Sequence, residues 1–421
     1  MRNNKLTIVL GAALGTAQLV TLPLAQANGD PAMIDELKQL VRQQQQQIEA
    51  QAKALEDLQR RIEGMEQTQD EIITSAASKK TVTSGEDNIS LELSGQVNRG
   101  VLFIDDGEQT DTFYVDNDNS STRFRLVGKG QVTEDFSIGS LIEVQMESNS
   151  TADVNQNNNG SVGGGSFTER KLEFYLDSKR FGRLAVGQGS TASDNTAEVD
   201  LSGVSVIGYS SVADMAGGIL FRDKDSGQLT NIKVGNVFTN LDGLGREDRV
   251  LYDTPTLGGF QASTSFVTNS RWDLALRYGG DFGAFQTAAA IGYADPNSDT
   301  VDYRLDGSFS VLHDSGVNLT AAAGIDKRDD DSDDAKYYYA KVGYIAQWFS
   351  WGDTAFALDY YDGENINVDN DQSETYGIFA VQNLSDYGTQ FYLGIRSYQY
   401  DQRNNNFDNI TAALIGARVK F

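Results

Sequence analysis

The chain has 421 residues, no cysteine and one histidine, and 60 acidic against 34 basic residues give it a formal net charge of −26 at pH 7. This composition excludes disulfides, thiolate or multi-histidine metal sites and cysteine catalysis. It also argues against nucleic acid as a partner, because phosphate binding needs a basic patch. With 42 Gly, 18 Tyr and 20 Phe but only 4 Pro, it favours many strands joined by tight turns.

Residues 1–27 have the pattern of a secretory signal peptide. Arg2 and Lys5 precede an apolar stretch over residues 6–24, and the small-x-small triplet Ala-Gln-Ala follows at 25–27. Polar residues, glycines and a proline interrupt this stretch too often for a membrane span of about 20 apolar residues. We therefore expect the segment to be cleaved after export.

A heptad pattern between about residues 32 and 73 predicts an α-helical coiled coil, so we assign 28–73 as a periplasmic coiled-coil segment. One helix alone would leave an apolar stripe in water, which means that partner helices are required. The oligomer would be held by Ile34, Leu37, Val41, Ile48, Leu55, Leu58, Ile62 and Met65. The heptads do not distinguish two strands from three. Residues 74–88 have no apolar period and are predicted to be a linker.

From residue 89 to 421 the chain repeats segments of about ten residues in which apolar and polar side chains alternate. In one of them, Ile142 and Val144 oppose Glu143 and Gln145. A strand with lipid on one side and water on the other must alternate in this way. We therefore predict an all-β fold, a transmembrane antiparallel β-barrel preceded by the coiled coil.

Sixteen strands are predicted, and an even number is required for both ends of the barrel domain to lie on the same side of the membrane. Two further candidates at 217–224 and 229–239 would raise the total to eighteen, but charged residues at 223–225 interrupt them and favour an extramembrane hairpin or a pore loop. The sixteen segments are about 89–105, 121–133, 136–149, 167–178, 182–190, 246–254, 258–268, 271–280, 283–294, 301–313, 316–327, 336–349, 352–363, 373–385, 388–401 and 410–421.

Acidic runs at 105–106, 329–334 and 369–371 fall in the predicted outer loops. Their carboxylates would either bind Ca²⁺ or Mg²⁺ that bridges to lipopolysaccharide phosphates, or stay solvated. No run has the D-x-D-x-D-G spacing of a dedicated calcium loop, which favours solvated loops. Apart from this Ca²⁺ alternative, we predict no metal and no cofactor.

Four stretches resemble the general bacterial porin family of Gram-negative bacteria in its trimeric, sixteen-stranded form. They are LELSGQV at 91–97, STRFRLVG at 121–128, FGRLAVGQ at 181–188 and RVLYDTPTLGGF at 249–260. The resemblance spans about 89–421. It implies an outer-membrane channel, assembled as a homotrimer among outer-membrane lipid and lipopolysaccharide, for passive diffusion of small hydrophilic solutes and ions.

The coiled coil lies outside that resemblance. It is similar to helical segments of phosphate-selective porins and of some peptidoglycan-associated outer-membrane proteins. Two alternatives therefore stay open beside a general diffusion channel: an anion- or phosphate-selective porin, and a coiled coil that tethers the outer membrane to peptidoglycan.

The resemblance also implies that the loop after the fifth strand folds into the lumen and sets its acids against a basic wall. That loop begins near Ser190, and its acids are Asp194, Glu198, Asp200 and Asp214. Strand alternation points Arg123, Arg125 and Lys129 inward, and Lys171 and Arg183 extend the predicted basic wall. In the alternative, Arg123 and Arg125 only neutralise neighbouring carboxylates. Wall cations opposite loop acids, in an acidic chain, predict a mild cation preference.

An enzyme is the competing class of function. No G-x-S-x-G elbow occurs, and His313 is far from any serine-rich turn that would complete a triad. We predict no catalytic residue. The last strand ends at Phe421, and a terminal aromatic residue there resembles the signal that the barrel-assembly machinery reads, so this machinery is an expected partner.

Overall fold

The computed structural model describes residues 81–83, 89–159, 167–330 and 332–421. The chain divides into two units, residues 1–73 and 74–421. The predicted signal peptide and the coiled coil, with its eight oligomerisation residues from Ile34 to Met65, lie outside the described residues. Within the described part, no helix is long and apolar enough to cross a membrane.

The described residues form 21 strands, and two of them, β8 and β9, belong to a small separate sheet. In chain order the strands are β1 Thr81–Thr83, β2 Ile89–Asp105, β3 Thr110–Asp116, β4 Arg123–Gln131, β5 Phe136–Gln145, β6 Thr168–Ser178, β7 Gly182–Ser190, β8 Leu220–Arg222, β9 Leu229–Lys233, β10 Arg246–Asp253, β11 Phe260–Val267, β12 Trp272–Phe282, β13 Phe285–Asp295, β14 Val301–His313, β15 Val317–Arg328, β16 Ala335–Phe349, β17 Gly352–Glu364, β18 Gln372–Leu384, β19 Thr389–Gln402, β20 Asn405–Asn406 and β21 Ile410–Lys420.

Sixteen strands, which are β2, β4–β7, β10–β19 and β21, close into an antiparallel barrel. This confirms the predicted barrel fold and strand number. Each barrel strand pairs with the next one along the chain, and β21 returns to pair with β2 over residues 96–105. Strands β8 and β9 pair only with each other. The segments at 217–224 and 229–239 therefore add no strand to the barrel.

Alternation along the strands separates a lipid-facing surface from an interior. On β15, Leu319 is half exposed on the outside, whereas its neighbours Asn318 and Thr320 are buried inside. A bilayer replaces water around the outer side chains, so apolar residues are stable there although no protein covers them. The barrel thus has its apolar band on the outside.

The connections differ in length at the two ends of the barrel. Short turns such as 132–135, 283–284 and 314–316 join strands at one end, and longer loops such as 146–167 and 191–245 join them at the other. Gly182 opens β7 with φ +88°, and a Cβ atom there would lie 2.1 Å from the carbonyl oxygen of Asp253. Only glycine tolerates both conditions at this turn.

The first and last barrel strands meet at a seam. Phe421 and Gly95 exchange two backbone hydrogen bonds of 2.9 and 3.0 Å. Beyond this point the backbone of β1 pairs with Ser90–Glu92 of β2. Strand β1 and the last residue, Phe421, therefore lie beside the same strand, at the short-turn end.

The interior is not polar all round, which differs from the simple alternation expected of a barrel that faces water inside. On β16 to β19 the inward side chains include Tyr337, Tyr361, Phe379 and Tyr398, each at most 1% exposed. Apolar side chains of loop 191–245 cover them and form one hydrophobic core inside the barrel. Burial against this loop stabilises aromatic residues at positions where open water would disfavour them.

Candidate functional site in the barrel lumen

Loop 191–245 leaves β7, enters the lumen and returns at β10. Asp273, a fully buried residue of β12, holds its first turn, because its carboxylate accepts hydrogen bonds from the Ser193 backbone N–H at 2.8 Å and the Ala192 N–H at 3.3 Å. The Ser193 hydroxyl donates to the same carboxylate. A charged acceptor that meets several donors fixes the direction in which the loop begins.

The loop then continues along the wall to β14 and β16. The N–H groups of Val199 and Leu201 donate to the hydroxyls of Ser308 and Ser310 on β14, each at 2.9 Å. Between them Asp200 forms a buried ion pair of 2.5 Å with Lys341 on β16. The loop backbone is thus hydrogen-bonded to the wall on both sides of this ion pair.

Aromatic residues anchor the middle of the loop and its return to the wall. The Tyr398 hydroxyl donates to the Val212 carbonyl, and the Tyr361 hydroxyl donates to the Thr239 carbonyl, both at 2.7 Å. Phe238 packs between these tyrosine rings, with centroid distances of 5.1 Å to Tyr398 and 5.5 Å to Tyr361. The loop therefore fills one side of the lumen and leaves a polar space on the other side.

That space is a cavity of about 450 Å³ between the loop and the wall. Five acidic residues from loops, four arginines from four different strands and six neutral polar residues line it. The acids are Asp118, Asp194, Glu198, Asp214 and Asp242, the arginines are Arg123, Arg170, Arg246 and Arg418, and the neutral residues are Asn119, Ser120, Asn195, Ser205, Tyr209 and Ser211.

Of the four acids predicted in this loop, three line the cavity: Asp194, Glu198 and Asp214. Asp200 does not, because its carboxylate points to Lys341 on the packed side of the loop. A loop has no fixed alternation, so its sequence alone does not reveal which acid faces the wall.

Of the five predicted wall cations, Arg123 alone lines the cavity. Arg125 forms an ion pair of 2.6 Å with Glu143. Lys171 stands opposite the same Glu143 on the neighbouring strand.

Arg183 and Lys129 lie away from the cavity. Arg183 is 3.4 Å from Glu173 and stacks 3.9 Å over the ring of Tyr175. Lys129 is six residues beyond Arg123, which is about 20 Å along β4 at about 3.3 Å per residue.

A β-bulge explains why alternation missed Arg170. Across from β6, Glu143 pairs with Lys171 and Val144 pairs with Glu169, so Arg170 is an extra residue. A bulge re-aims a side chain. Here Arg170 turns inward and donates to Glu143 at 2.9 Å and to Gln145 at 2.5 Å.

Asp118 and Ser120 were missed because the connection between β3 and β4 folds inward. The Asn117 side chain donates to the Val206 carbonyl of the lumen loop at 2.8 Å, and its Oδ1 accepts from the Asn119 N–H at 3.1 Å. Polar residues in a short connection predict only a turn, and nothing in the pattern gave its direction. Asp242 and Arg246 had no sequence signal beyond their charge, whereas alternation along the last strand sets Arg418 on the face opposite its apolar residues.

The loop acids are buried and lie close together, and both conditions favour their neutral forms. Burial, followed by repulsion from Asp118, raises the pKa of Asp214 to about 7. Burial raises the pKa of Asp242 to about 6. Burial and then Asp242 raise the pKa of Glu198 well above its ordinary range. At neutral pH part of the acidic side is therefore uncharged.

Asp118, which lines the cavity, forms a carboxyl pair with Glu147. Burial and then the Asp118 carboxyl raise the pKa of Glu147 to about 8. Two carboxyl groups in hydrogen-bonding contact need a proton between them, because two adjacent negative charges repel. The pair therefore adds a further titrating group beside Asp118.

The acidic runs of the outer loops contact their own backbone and basic neighbours. Asp334 is 3.0 Å from Lys327, and the Asp333 N–H donates to Asp369 at 3.0 Å. Among the described residues, no three histidine or acidic side chains are arranged to hold a metal ion. Calorimetric titration with Ca²⁺ separates the Ca²⁺ alternative from solvated loops.

Opposed charges across a narrow polar space produce a transverse electric field. Such a field orients dipolar solutes and disfavours apolar ones, because an apolar solute would displace water from charged groups without replacing their interactions. The arrangement is suited to selecting among small hydrophilic solutes.

Comparisons with known proteins agree with this fold. A family model described as Gram-negative porin matches residues 73–404. An anion-selective porin from Comamonas acidovorans is similar with a TM-score of 0.54 at 16% identity, over 79% of this chain and 100% of that one. OmpT of Vibrio cholerae, an outer membrane protein folded in vitro, is similar with a TM-score of 0.53 at 11% identity, over 81% and 100%. A search of curated proteins found no match.

Proposed function

Because the chain belongs to the Gram-negative porin family, whose members are outer-membrane channels and not enzymes, we propose that it is a diffusion channel for small hydrophilic solutes and ions with a mild cation preference. Loop 191–245 constricts the channel in this proposal. The supporting observation is the cavity in which Asp194, Glu198 and Asp214 face Arg123. Five acids and four arginines line it, so its formal balance is slightly negative when all five acids are ionised, that is, at pH values above the raised pKa values of these acids.

Planar-bilayer recordings test this proposal. Under a KCl gradient, the reversal potential of the purified protein should correspond to a K⁺ permeability modestly above that of Cl⁻. Uptake of a small neutral sugar into liposomes should confirm a water-filled pore. A strong preference for Cl⁻ would contradict the cation preference and favour an anion- or phosphate-selective porin.

The wall cations give a second test of the constriction. Neutralising Arg123 and Arg125 in an Arg123→Gln, Arg125→Gln variant should raise the K⁺ preference, because two positive charges leave the wall. An unchanged reversal potential would mean that neither residue contributes to the constriction. Sugar uptake at the rate of the unmodified protein would show that the variant pore is still open.

An anion-selective channel is the second candidate. The anion-selective porin of Comamonas acidovorans shares the fold at 16% identity, and Arg418 adds a basic residue on the last strand to the cavity wall. The reversal potential separates this candidate from the first.

We further infer a homotrimer in outer-membrane lipid and lipopolysaccharide, with residues 28–73 forming a periplasmic coiled coil and Phe421 read by the barrel-assembly machinery. Self-association is supported by the observation that related porins are commonly oligomeric. Cross-linking of the protein in native membranes would give the number of subunits directly.

A further inference from the structure

Three cations form a cluster on the lumen wall where the barrel closes. Gln96 of β2 lies opposite Arg123 of β4 on one side and opposite Lys420 of β21 on the other. Arg123, Gln96 and Lys420 therefore form one row across β4, β2 and β21. Arg418 precedes Lys420 by two residues on β21 and so shares its inward face.

The hydrogen bonds of this cluster go to neutral groups. Arg418 donates to the Ser120 hydroxyl at 2.7 Å, and Arg123 donates to the same hydroxyl at 3.2 Å. Arg418 also donates through Nε to the Gln390 side-chain oxygen at 2.8 Å. Within the described residues, no carboxylate oxygen lies within 4 Å of a charged nitrogen of Arg123, Arg418 or Lys420.

Four other lumen cations form ion pairs with carboxylates of the protein itself. Arg125 and Arg170 share Glu143, and Arg183 and Arg249 share Glu173. Glu143 attracts Arg123 at longer range, but both of its oxygens already accept hydrogen bonds. The cluster is therefore a local excess of positive charge in a chain that is strongly negative overall.

Like charges held together repel unless an anion or solvent compensates them. A guanidinium presents a planar fork of N–H donors that matches a carboxylate or a phosphate, and a lysine adds a mobile point charge. We propose that Arg123, Arg418 and Lys420 form a docking site for the oxyanion group, carboxylate or phosphate, of a solute that passes through the channel. The inference rests on the proposed channel function and names a class of solute for it.

This docking site is compatible with a mild cation preference of the ionic current. The site binds an anionic group on one wall, whereas all charges around the constriction together determine the ionic preference. A solute with a carboxylate or a phosphate would then cross more slowly than Cl⁻ and would occupy the pore while it is bound.

Reversible block of the K⁺ current in planar bilayers tests the site. Inorganic phosphate and succinate serve as probes at constant KCl, and the half-blocking concentration is measured for each. Both probes should block the unmodified channel in a saturable manner. Arg418→Gln and Lys420→Gln should each raise the half-blocking concentration by about tenfold, the effect of losing one charge-assisted hydrogen bond.

Two further variants make the result specific. Arg418→Lys keeps the charge and should restore much of the block. Lys179→Gln removes a lysine from the exposed turn between β6 and β7 and should leave the half-blocking concentration unchanged. Block by succinate alone or by phosphate alone would assign the site to that one group.

Absence of saturable block by both probes would overturn the proposal, as would an equal loss of block in Lys179→Gln. Neutral sugar uptake is measured in parallel for every variant. Lack of sugar uptake by the unmodified protein would contradict the channel function itself, whereas normal uptake without block would contradict only the docking site.

Discussion

At the scale of single residues, the ion pair between Lys341 and Asp200 is a strong constraint on the lumen loop. The two side chains are 0% and 4% exposed, and Lys341 also donates to the Gly208 carbonyl at 3.0 Å. Removing two charges from water is costly, so each depends on the other for compensation. The pair therefore fixes the position at which the loop meets β16.

Lys341→Met should destabilise the protein by about 3 kcal/mol, because Asp200 would remain buried without a cation. A Lys341→Met, Asp200→Asn double variant should recover much of that loss. Unfolding by denaturant in lipid vesicles measures both changes in free energy.

The exposed ion pair of Lys327 and Asp334 provides a matched control. Its side chains are 44% and 21% exposed. Lys327→Met should therefore cost less than about 1 kcal/mol. Equal losses for Lys341→Met and Lys327→Met would contradict the anchoring role of the buried pair.

Ion preference should depend on pH through the loop acids. A carboxyl group whose pKa is raised is neutral below that pKa and negative above it. Because burial raises the pKa of Asp242 to about 6 and that of Asp214 to about 7, negative charge increases in the cavity as pH rises. The K⁺ preference from reversal potentials should therefore increase between about pH 5 and about pH 8.

The control for this pH dependence is a carboxylate outside the lumen. Asp214→Asn should remove the part of the increase near pH 7, whereas Glu134→Gln, in the exposed turn 132–135, should leave the whole curve unchanged. A flat curve for the unmodified protein would show that these acids do not contribute to ion selection.

At the scale of elements, the lumen loop behaves as a packed part of the barrel. Phe238 is 1% exposed and lies between two tyrosine rings. Phe238→Ala should cost about 3 to 5 kcal/mol, the range for truncating a buried aromatic residue. Hydrogen exchange in residues 191–245, followed by mass spectrometry, should become faster because the return half of the loop loses its anchor.

Leu257→Ala is the corresponding control, since Leu257 is 82% exposed in the turn between β10 and β11. It should leave exchange in the loop unchanged. If Phe238→Ala also left exchange unchanged, the hydrogen bonds of the loop would suffice to hold it and the aromatic packing would be secondary.

The sequence predicts the strands well and the cavity incompletely, for a physical reason. Alternation is local, because each residue in a strand faces the side opposite to its neighbour, so the sixteen segments could be identified one at a time. Exceptions to alternation determine which side chains line the cavity. Arg170 faces inward because of a bulge, and Asp118 lines the lumen because its connection folds inward.

Long-range packing accounts for the remaining differences. Asp200 turns away from the cavity because Lys341, 141 positions later, faces it. Tyr337 and Tyr361 are inward residues that resemble an interfacial aromatic girdle in sequence, yet the loop buries them in an internal core. Neither contact is encoded by a local pattern, so neither was accessible from spacing or composition.

At the scale of the whole molecule, barrel closure brings the beginning and end of the barrel domain together. The backbones of Phe421 and Gly95 are hydrogen-bonded to each other, and β1 continues along the same edge of β2. Strand β1 and Phe421 thus lie together beside β2, at the short-turn end of the barrel.

Deleting residues 32–73 should convert the oligomer into monomers while each barrel still conducts. The physical reason is that the heptad core, from Ile34 to Met65, would bury its apolar stripe only between subunits. Light scattering in detergent gives the subunit number, and co-sedimentation with peptidoglycan gives cell-wall association. An intact trimer that no longer sediments with peptidoglycan would contradict assembly by the coiled coil and support the tether.

A pair of point variants separates the effect of losing the heptad core from the effect of shortening the chain. Replacing Leu55 and Leu58 by serine removes two core positions, whereas replacing Glu49 and Lys53 by alanine changes exposed positions of the same predicted helix. The core variant should dissociate at concentrations where the surface variant remains an oligomer. Since both variants keep the full chain, such a difference would assign oligomerisation to the heptad core, and equal stability of the two would assign it to contacts between the barrels.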